Sequence, residues 1–183
     1  MPLITTSMNI DLSLKKARII PDVIREEFVP STLLEINYPN GKDVALGNTL
    51  SVQDTAEPPR VNFVPPEEDA QYTLVMADPD APSAVDPSLG PWRHWVVTNI
   101  KGSDPSNIKA SSEHTPYMGP APPAGTGDHR YVFLLYKQPR TNQEFAAMSP
   151  EKTSVRRNFD VNEFATKNDL ELISVNYFLS SVN

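Results

Sequence analysis

Cysteine is absent from this chain of 183 residues. Without cysteine, no disulfide framework, thiolate nucleophile or zinc–thiolate site can form. The first ten residues also contain no lysine or arginine, so they lack the charged start of a secretory signal peptide. From both absences we expect a cytoplasmic protein.

Long hydrophobic runs and an excess of basic residues are also missing. Apolar stretches such as residues 132–136 are short, whereas a membrane-spanning helix needs about 18 apolar residues. The formal net charge is −7, and nucleic acids and anionic membrane surfaces attract clustered lysine and arginine. The composition therefore argues against nucleic-acid binding and transmembrane anchoring. A small anionic ligand remains compatible with it, because one local site can oppose the net charge.

Proline is abundant and unevenly distributed. Nine of the 19 prolines lie between Pro79 and Pro123, and five of the seven glycines lie between Gly90 and Gly127. Fixed turns are therefore concentrated in the middle of the chain. Because rigid loops on a scaffold often carry binding residues, we expect the functional site there.

Segments rich in β-forming residues occupy much of the remainder. The strongest strand predictions, at residues 71–77, 94–100 and 130–137, are almost continuously apolar, which is typical of strands buried on both faces. Weaker strand patterns cover residues 33–38, 43–46, 60–64 and 171–179. The long polar stretch from Lys101 to Gly127 shows no pattern in its middle and is predicted to be a binding loop.

Helical signals are few. Residues 159–167 predict one clear helix, with Asp160 as the N-cap and Glu163 at the reciprocal position. At least seven strands and few helices predict an all-β fold, an antiparallel Greek-key β-sandwich with a few short peripheral helices. We expect a single domain over residues 1–183, in which residues 1–21 are a candidate mobile N-terminal arm.

Polar side chains cluster at the ends of the three strongest strands. His94 and His129 stand where two of these strands begin, and the third runs into Asp78 and Asp80. Alternate residues of a strand share a face, and the proline between the two aspartates favours extended backbone. We therefore expect Asp78 and Asp80 to point the same way, and His129 and Tyr131 likewise. If the strand ends meet, these groups surround one small pocket.

Carboxylates repel anions, so their place beside an anion site needs an explanation. The residues are compatible with two explanations. An aspartate accepts the N–H of His94 or His129, which fixes the tautomer and favours the charged imidazole. Alternatively the ligand is zwitterionic, like a phosphoethanolamine head group, and its ammonium group binds a carboxylate. In either case the turn Gly125–Gly127 adds backbone N–H donors.

Other interpretations of the same residues compete with an anion pocket. Aspartate and proline are ordinary turn residues, and His114, in a polar loop, is expected to be exposed to solvent. Two aspartates and two histidines also suit a divalent ion, so a metal-dependent hydrolase is an alternative. Ser83 lacks the G-x-S-x-G context of an activated nucleophile, which favours a protein that is not an enzyme.

Three motifs occur in the order and spacing of a known family. They are DPDAPS (residues 78–83), GPWRHW (90–95) and YMGPAPPAGTGDHRYVFLLYKQ (117–138). Through them the chain resembles the phosphatidylethanolamine-binding proteins, which include Raf kinase inhibitor proteins and plant flowering-time regulators, over about residues 22–178. ALGNTL (45–50) resembles the fungal branch, whose members are described as carboxypeptidase Y inhibitors.

The resemblance implies a β-sandwich with an anion pocket at one end, without a catalytic site, metal or cofactor. The pocket would hold phosphate or a phospholipid head group. Its implied ligand-binding residues are Asp78, Asp80, Trp92, His94, Pro122, His129 and Tyr131. The resemblance also implies a cis peptide bond near Pro82 or in the loop before His94. The implied protein partner is a serine carboxypeptidase, or else a signalling kinase or Ras regulator.

Two positions depart from the family pattern. Leu89 stands where animal members often have tyrosine, and Ala121 stands where they have glycine. Loss of the phenol removes one hydrogen bond to phosphate, worth about 1–2 kcal/mol to a charged group. The methyl group of Ala121, which glycine lacks, narrows the mouth of the pocket. We expect the head-group pocket to persist with an altered affinity for phospholipid.

Overall fold

Buried strands form the frame of the molecule. The computed structural model describes residues 3–148 and 153–183. The helices are α1 (Leu3–Lys16), α2 (Ile19–Asp22) and α3 (Val161–Lys167). The strands are β1 (Glu35–Tyr38), β2 (Lys42–Asp43), β3 (Asn48–Thr49), β4 (Arg60–Asn62), β5 (Gln71–Asp78), β6 (Trp92–Lys101), β7 (Ser112–Thr115), β8 (His129–Lys137) and β9 (Glu171–Ser180).

These strands form two sheets. The large sheet has the order β3-β9-β8-β5-β6-β7, and the small sheet has the order β2-β1-β4. Every residue of the central strand β5 is buried, which explains its continuous apolar sequence. Among the described strands the pairings are antiparallel with one exception, since β3 runs parallel to β9. For that pair the prediction of antiparallel strands is wrong, and the Greek-key connection stays a prediction.

Each face of the large sheet is covered by a different partner. On one face Met76 packs in a core shared with Ile36 of the small sheet. On the other face Val75 packs in a core shared with Leu14 of α1 and Phe164 of α3. Because side chains alternate along a strand, adjacent residues of β5 serve opposite cores. The strand-rich architecture predicted from the sequence is confirmed.

The stretch from Lys101 to Gly127 departs from its prediction. It contains β7, which pairs with the end of the large sheet through Val96 and Thr115. Its edge position explains a polar sequence that shows no strand pattern. His114 within it is half-buried, with its ring 5.7 Å from that of Phe145, and burial lowers its pKa. The expectation that His114 is exposed is therefore wrong.

One helix begins the described chain, and another comes directly before its last strand. The predicted N-cap of α3 is confirmed, because the Asp160 carboxylate accepts the backbone N–H groups of Asn162 and Glu163. Much of the predicted N-terminal arm forms α1, which buries Ile10 and Leu14. The mobility of that arm stays a prediction. In the part of the chain that the structure describes, no helix combines the length and apolar character needed to cross a bilayer.

Candidate functional site

Antiparallel pairing brings the ends of the three strongest strands together. The central strand β5 lies between β6 and β8, so its last residues adjoin the first residues of both neighbours. Asp78 is paired with Trp92, and Ala77 with Val132. At this end of the sheet lies a cavity of about 220 Å³. Its lining consists of Asp78, Ala81, Pro82, Leu89, Trp92, His94, Met118, Ala121, Pro123 and His129.

Turns beside the cavity contain two cis peptide bonds. They are Ala81–Pro82 and Gly90–Pro91, and a third joins Ile20 and Pro21. The family resemblance implies a cis bond near Pro82 or before His94, and the structure has one at each place.

His129 is held by a buried carboxylate. Its Nδ1 lies 2.7 Å from Oδ2 of Asp78, and both side chains are almost completely buried. Its Nε2 lies 2.9 Å from Oγ1 of Thr126, which also donates its single proton to the carbonyl oxygen of Pro123. Nε2 therefore donates to Thr126 and Nδ1 donates to the Asp78 carboxylate, so the two contacts together require a proton on each ring nitrogen of His129. Burial opposes this charge, but the hydrogen bond and charge of Asp78 outweigh it and raise the pKa of His129.

His94 has the opposite character. Its Nδ1 lies 2.6 Å from the carbonyl oxygen of Met118, which can only accept, so Nδ1 carries the proton. Nε2 is therefore the ring nitrogen available to a ligand. Complete burial lowers the pKa of His94, and the positive charges of Arg156 and His129 act in the same direction. The cavity thus has one neutral and one charged imidazole.

The two aspartates do not share a direction. The backbone N–H of Asp80 donates to Oδ1 of Asp78 at 2.7 Å, so the chain turns there and the alternation of an extended strand no longer applies. The Asp80 carboxylate instead accepts three hydrogen bonds from Arg130, at 2.7–2.9 Å. Arg130 follows His129 in β8 and therefore points to the opposite face. The prediction that both carboxylates face one pocket is wrong, and Asp80 lies outside the cavity lining.

The remaining predicted residues divide into two groups. Trp92 lines the cavity, as expected of a wall residue. The rings of His129 and Tyr131 are nearly parallel, with centroids 6.3 Å apart, so the prediction that they share a face is confirmed. Tyr131 and Pro122 are buried outside the lining, and the neighbouring Pro123 lines the cavity instead. Their role in binding stays a prediction.

Arg130 is a partner of the site that the sequence motifs did not indicate. In addition to Asp80, its guanidinium binds the carbonyl oxygen of Ala17 and the carboxylate of Asp22. The available signal was its place directly after His129 in a strand, which puts a cation on the opposite face. The sequence did not show which acid would meet it there.

The chemistry of the cavity is that of a small polar binding site. Its volume is below the roughly 300 Å³ at which sites for drug-sized ligands begin, so it suits a head group better than a whole lipid. Within residues 3–148 and 153–183, no three histidine or acidic side chains are placed to hold a metal ion. Asp80 is engaged by Arg130, and the metal-dependent hydrolase interpretation therefore loses one of its four donors.

Comparison with known proteins agrees with the sequence resemblance. The family model described as "Phosphatidylethanolamine-binding protein" matches residues 40–178. The carboxypeptidase Y inhibitor of Saccharomyces cerevisiae is 35% identical over 206 aligned residues, which cover 91% of this chain and 92% of that protein.

Solved structures agree in fold. The crystal structure of carboxypeptidase Y inhibitor complexed with its cognate proteinase superposes with a TM-score of 0.85 and 34% identity, covering 97% of each chain. The phosphatidylethanolamine-binding protein from Plasmodium vivax gives a TM-score of 0.79 at 29% identity, covering 95% of this chain and 97% of that one. This chain therefore belongs to the phosphatidylethanolamine-binding protein family.

Proposed function

We propose that this chain binds phosphate, or a head group of the phosphoethanolamine type, in the cavity between His94 and His129. We further propose that it inhibits a serine carboxypeptidase. The observation that supports the first part is the convergence of two imidazoles on one cavity of about 220 Å³. This volume accepts a phosphorylated group and little more.

Each imidazole has a defined part in binding. Asp78 orients and charges His129, which places a cation beside the cavity. His94 offers Nε2, which donates to a phosphate oxygen once an anion stabilises its protonated form. Both oxygens of Asp78 already accept hydrogen bonds, and Asp80 is paired with Arg130. We therefore expect the phosphate group to dominate recognition and the ammonium group to contribute little.

A titration followed by NMR of the histidine rings tests the pocket. Inorganic phosphate and phosphoethanolamine are added separately to the full chain, and the ring signals of His94 and His129 are expected to move with similar affinity for both ligands. His114, which lies outside the cavity lining, is the internal control. If the His94 and His129 signals do not move at millimolar ligand, the proposal that this cavity binds a phosphorylated group is overturned. If phosphoethanolamine binds and inorganic phosphate does not, the pocket recognises the ammonium group, contrary to the expectation that phosphate dominates.

The inhibitor part rests on similarity to the yeast carboxypeptidase Y inhibitor. An inhibitor needs a contact surface of sufficient area, or an arm that enters the active site of the protease. The N-terminal segment is the candidate contact. Within α1, Ile10 and Leu14 are buried against the body, while Met8 and Leu12 expose about three-fifths of their surface (60% and 62%).

A carboxypeptidase assay tests the inhibitor proposal and the role of the N-terminal segment separately. The full chain is expected to lower the activity of a carboxypeptidase Y-type enzyme, and deletion of residues 1–7 is expected to weaken that inhibition. The deletion leaves the buried Ile10 and Leu14 in place, and Val85→Ala, at an exposed site outside α1, is the control. Equal activity with and without the full chain overturns the inhibitor proposal. Equal inhibition by the full and shortened chains overturns the role of the arm only.

Regulation of a kinase or Ras pathway by protein contact was the other function that the resemblance implied. No observation on the cavity or the fold favours it, and it stays a prediction. The cytoplasmic location also stays a prediction.

A further inference from the structure

Two buried arginines lie behind the cavity wall. Arg93 and Arg156 are only 6% and 5% exposed. Buried guanidinium groups are normally paired with an acid. Neither of these two forms an ion pair with a carboxylate in the described part of the chain. We call them the buried arginine pair.

Arg156 is bonded directly to the backbone of the cavity wall. Its Nη1 donates to the carbonyl oxygens of Arg93 and His94 at 3.0 and 3.1 Å, and its Nη2 donates to that of Pro116 at 3.0 Å. His94 lines the cavity, and Pro116 lies two residues before Met118, whose carbonyl orients His94. The carbonyl groups satisfy the donors of Arg156 but leave its net charge in place.

Arg93 carries a second positive charge that no carboxylate of residues 3–148 or 153–183 pairs with. Its guanidinium carbon lies 5.4 Å from the centroid of the Phe159 ring, and its Nε and Nη2 have no hydrogen-bond partner. Phe159 packs against the core that contains α1 and α3, whereas the His94 ring contacts Tyr131 of the other core, so Arg93 and His94 lie on opposite faces of the sheet. Burial and repulsion by Arg156 both lower the pKa of Arg93, as expected for two cations that share a poorly solvated region.

The lining of the cavity does not itself explain a preference for anions. The negative charge of Asp78 offsets the positive charge of His129, and His94 is neutral. Behind this lining the buried arginine pair carries positive charge that no described carboxylate pairs with, and Arg156 is bonded to the carbonyl oxygen of His94. We infer that the buried arginine pair supplies the positive potential that draws an anion into the cavity. The inference rests on the proposed function and identifies the source of its charge preference.

Arg93→Met gives the cleanest test. Methionine retains the packing on Phe159 and breaks no hydrogen bond of Nε or Nη2, so we expect a higher melting temperature for this variant. The Kd for inorganic phosphate, measured by calorimetry, is nevertheless expected to rise by on the order of threefold to tenfold, because a charge in a poorly screened region is lost. Arg157→Met removes an exposed neighbouring charge and is the matched control.

Arg156→Gln and Arg156→Lys separate charge from positioning. Asp78, His129 and Arg156 are the charged groups that act on His94. With Gln the repulsion by Arg156 is gone, so the pKa of His94, followed by NMR, is expected to rise and phosphate affinity to fall. With Lys the charge remains, and both quantities are expected to stay near those of the unmodified chain. Lys behaving like Gln shows a positioning role and overturns the electrostatic inference.

The outcomes distinguish the two proposals. If the unmodified chain binds no phosphate, the proposed function is overturned. The pKa of His94 in Arg156→Gln and Arg156→Lys still shows whether Arg156 places positive potential at the cavity. Phosphate binding that is the same in the unmodified chain and in Arg93→Met overturns the inference for Arg93. If Arg156→Gln fails to fold, the Arg93→Met measurement decides, because Nε and Nη2 of Arg93 have no hydrogen-bond partner to lose.

Discussion

Replacing Asp78 by asparagine tests the central interaction of the site. The substitution keeps the side-chain shape and an oxygen acceptor for the backbone N–H of Asp80, but it removes the negative charge opposite His129. Burial alone lowers the pKa of His129, and Asp78 is the main group that raises it. In Asp78→Asn the pKa of His129 is therefore expected to fall from above its ordinary value of 6.5 to below it.

The effect on stability depends on pH in a defined direction. A histidine whose folded pKa is raised contributes stability that is complete below its unfolded pKa and is lost as pH rises through the folded pKa. Near pH 6 the lost charge-assisted hydrogen bond is expected to cost about 1.5–3 kcal/mol of unfolding free energy. At a pH above the raised pKa of His129 the unmodified imidazole is neutral, and the cost is expected to shrink to about 1 kcal/mol.

Two measurements check this reasoning. NMR titration of the histidine rings gives the pKa of His129, and urea denaturation at both pH values gives the unfolding free energies. Asp128→Asn makes the same chemical change at an exposed neighbouring residue and is expected to alter neither quantity. A pKa of His129 that is unchanged or higher in Asp78→Asn refutes the assignment. A destabilisation that grows as pH rises refutes the sign of the coupling.

Other substitutions test the supports of the site. Arg130→Met leaves Asp80 buried without its cation and is expected to lower the unfolding free energy by about 3–5 kcal/mol in urea denaturation; a loss below 1 kcal/mol would contradict the pairing. Leu14→Ala, at a fully buried position, is expected to cost about 2–5 kcal/mol. Leu12→Ala, at an exposed position of the same helix, is expected to change stability by less than about 0.5 kcal/mol, and equal effects would show that α1 is not docked. Asp160→Ala removes the N-cap of α3 and is expected to cost about 1 kcal/mol, with thermal unfolding as the readout and no change in melting temperature as the contrary result.

Much of the strand architecture was predictable because its signals are local. The run Val132–Tyr136 is apolar on both sides of its strand, and the structure buries every residue of it. The same period-two rule correctly put His129 and Tyr131 on one face. By contrast, β7 has a polar sequence because it lies at the edge of the sheet, and edge position is a property of the assembled sheet.

Within the site, the prediction failed where the backbone stopped being extended. Asp78 and Asp80 were expected to share a face, but the hydrogen bond from the Asp80 amide to the Asp78 side chain turns the chain between them. Short polar side chains compete for nearby backbone groups in this way. Once the turn is made, Asp80 meets Arg130 on the far face of the sheet.

By itself the sequence determined which segments become buried strands, which polar residues stand at their ends and which family the motifs resemble, since each of these depends on residues close together in the chain. Only the tertiary structure decided the partners of the charged groups. Asp78 and His129 are 51 residues apart, and Arg156 and His94 are 62 apart. Whether such groups meet, and whether a buried charge finds an acid or only carbonyl oxygens, depends on strand order and register, because these set which side chains from distant segments face one another.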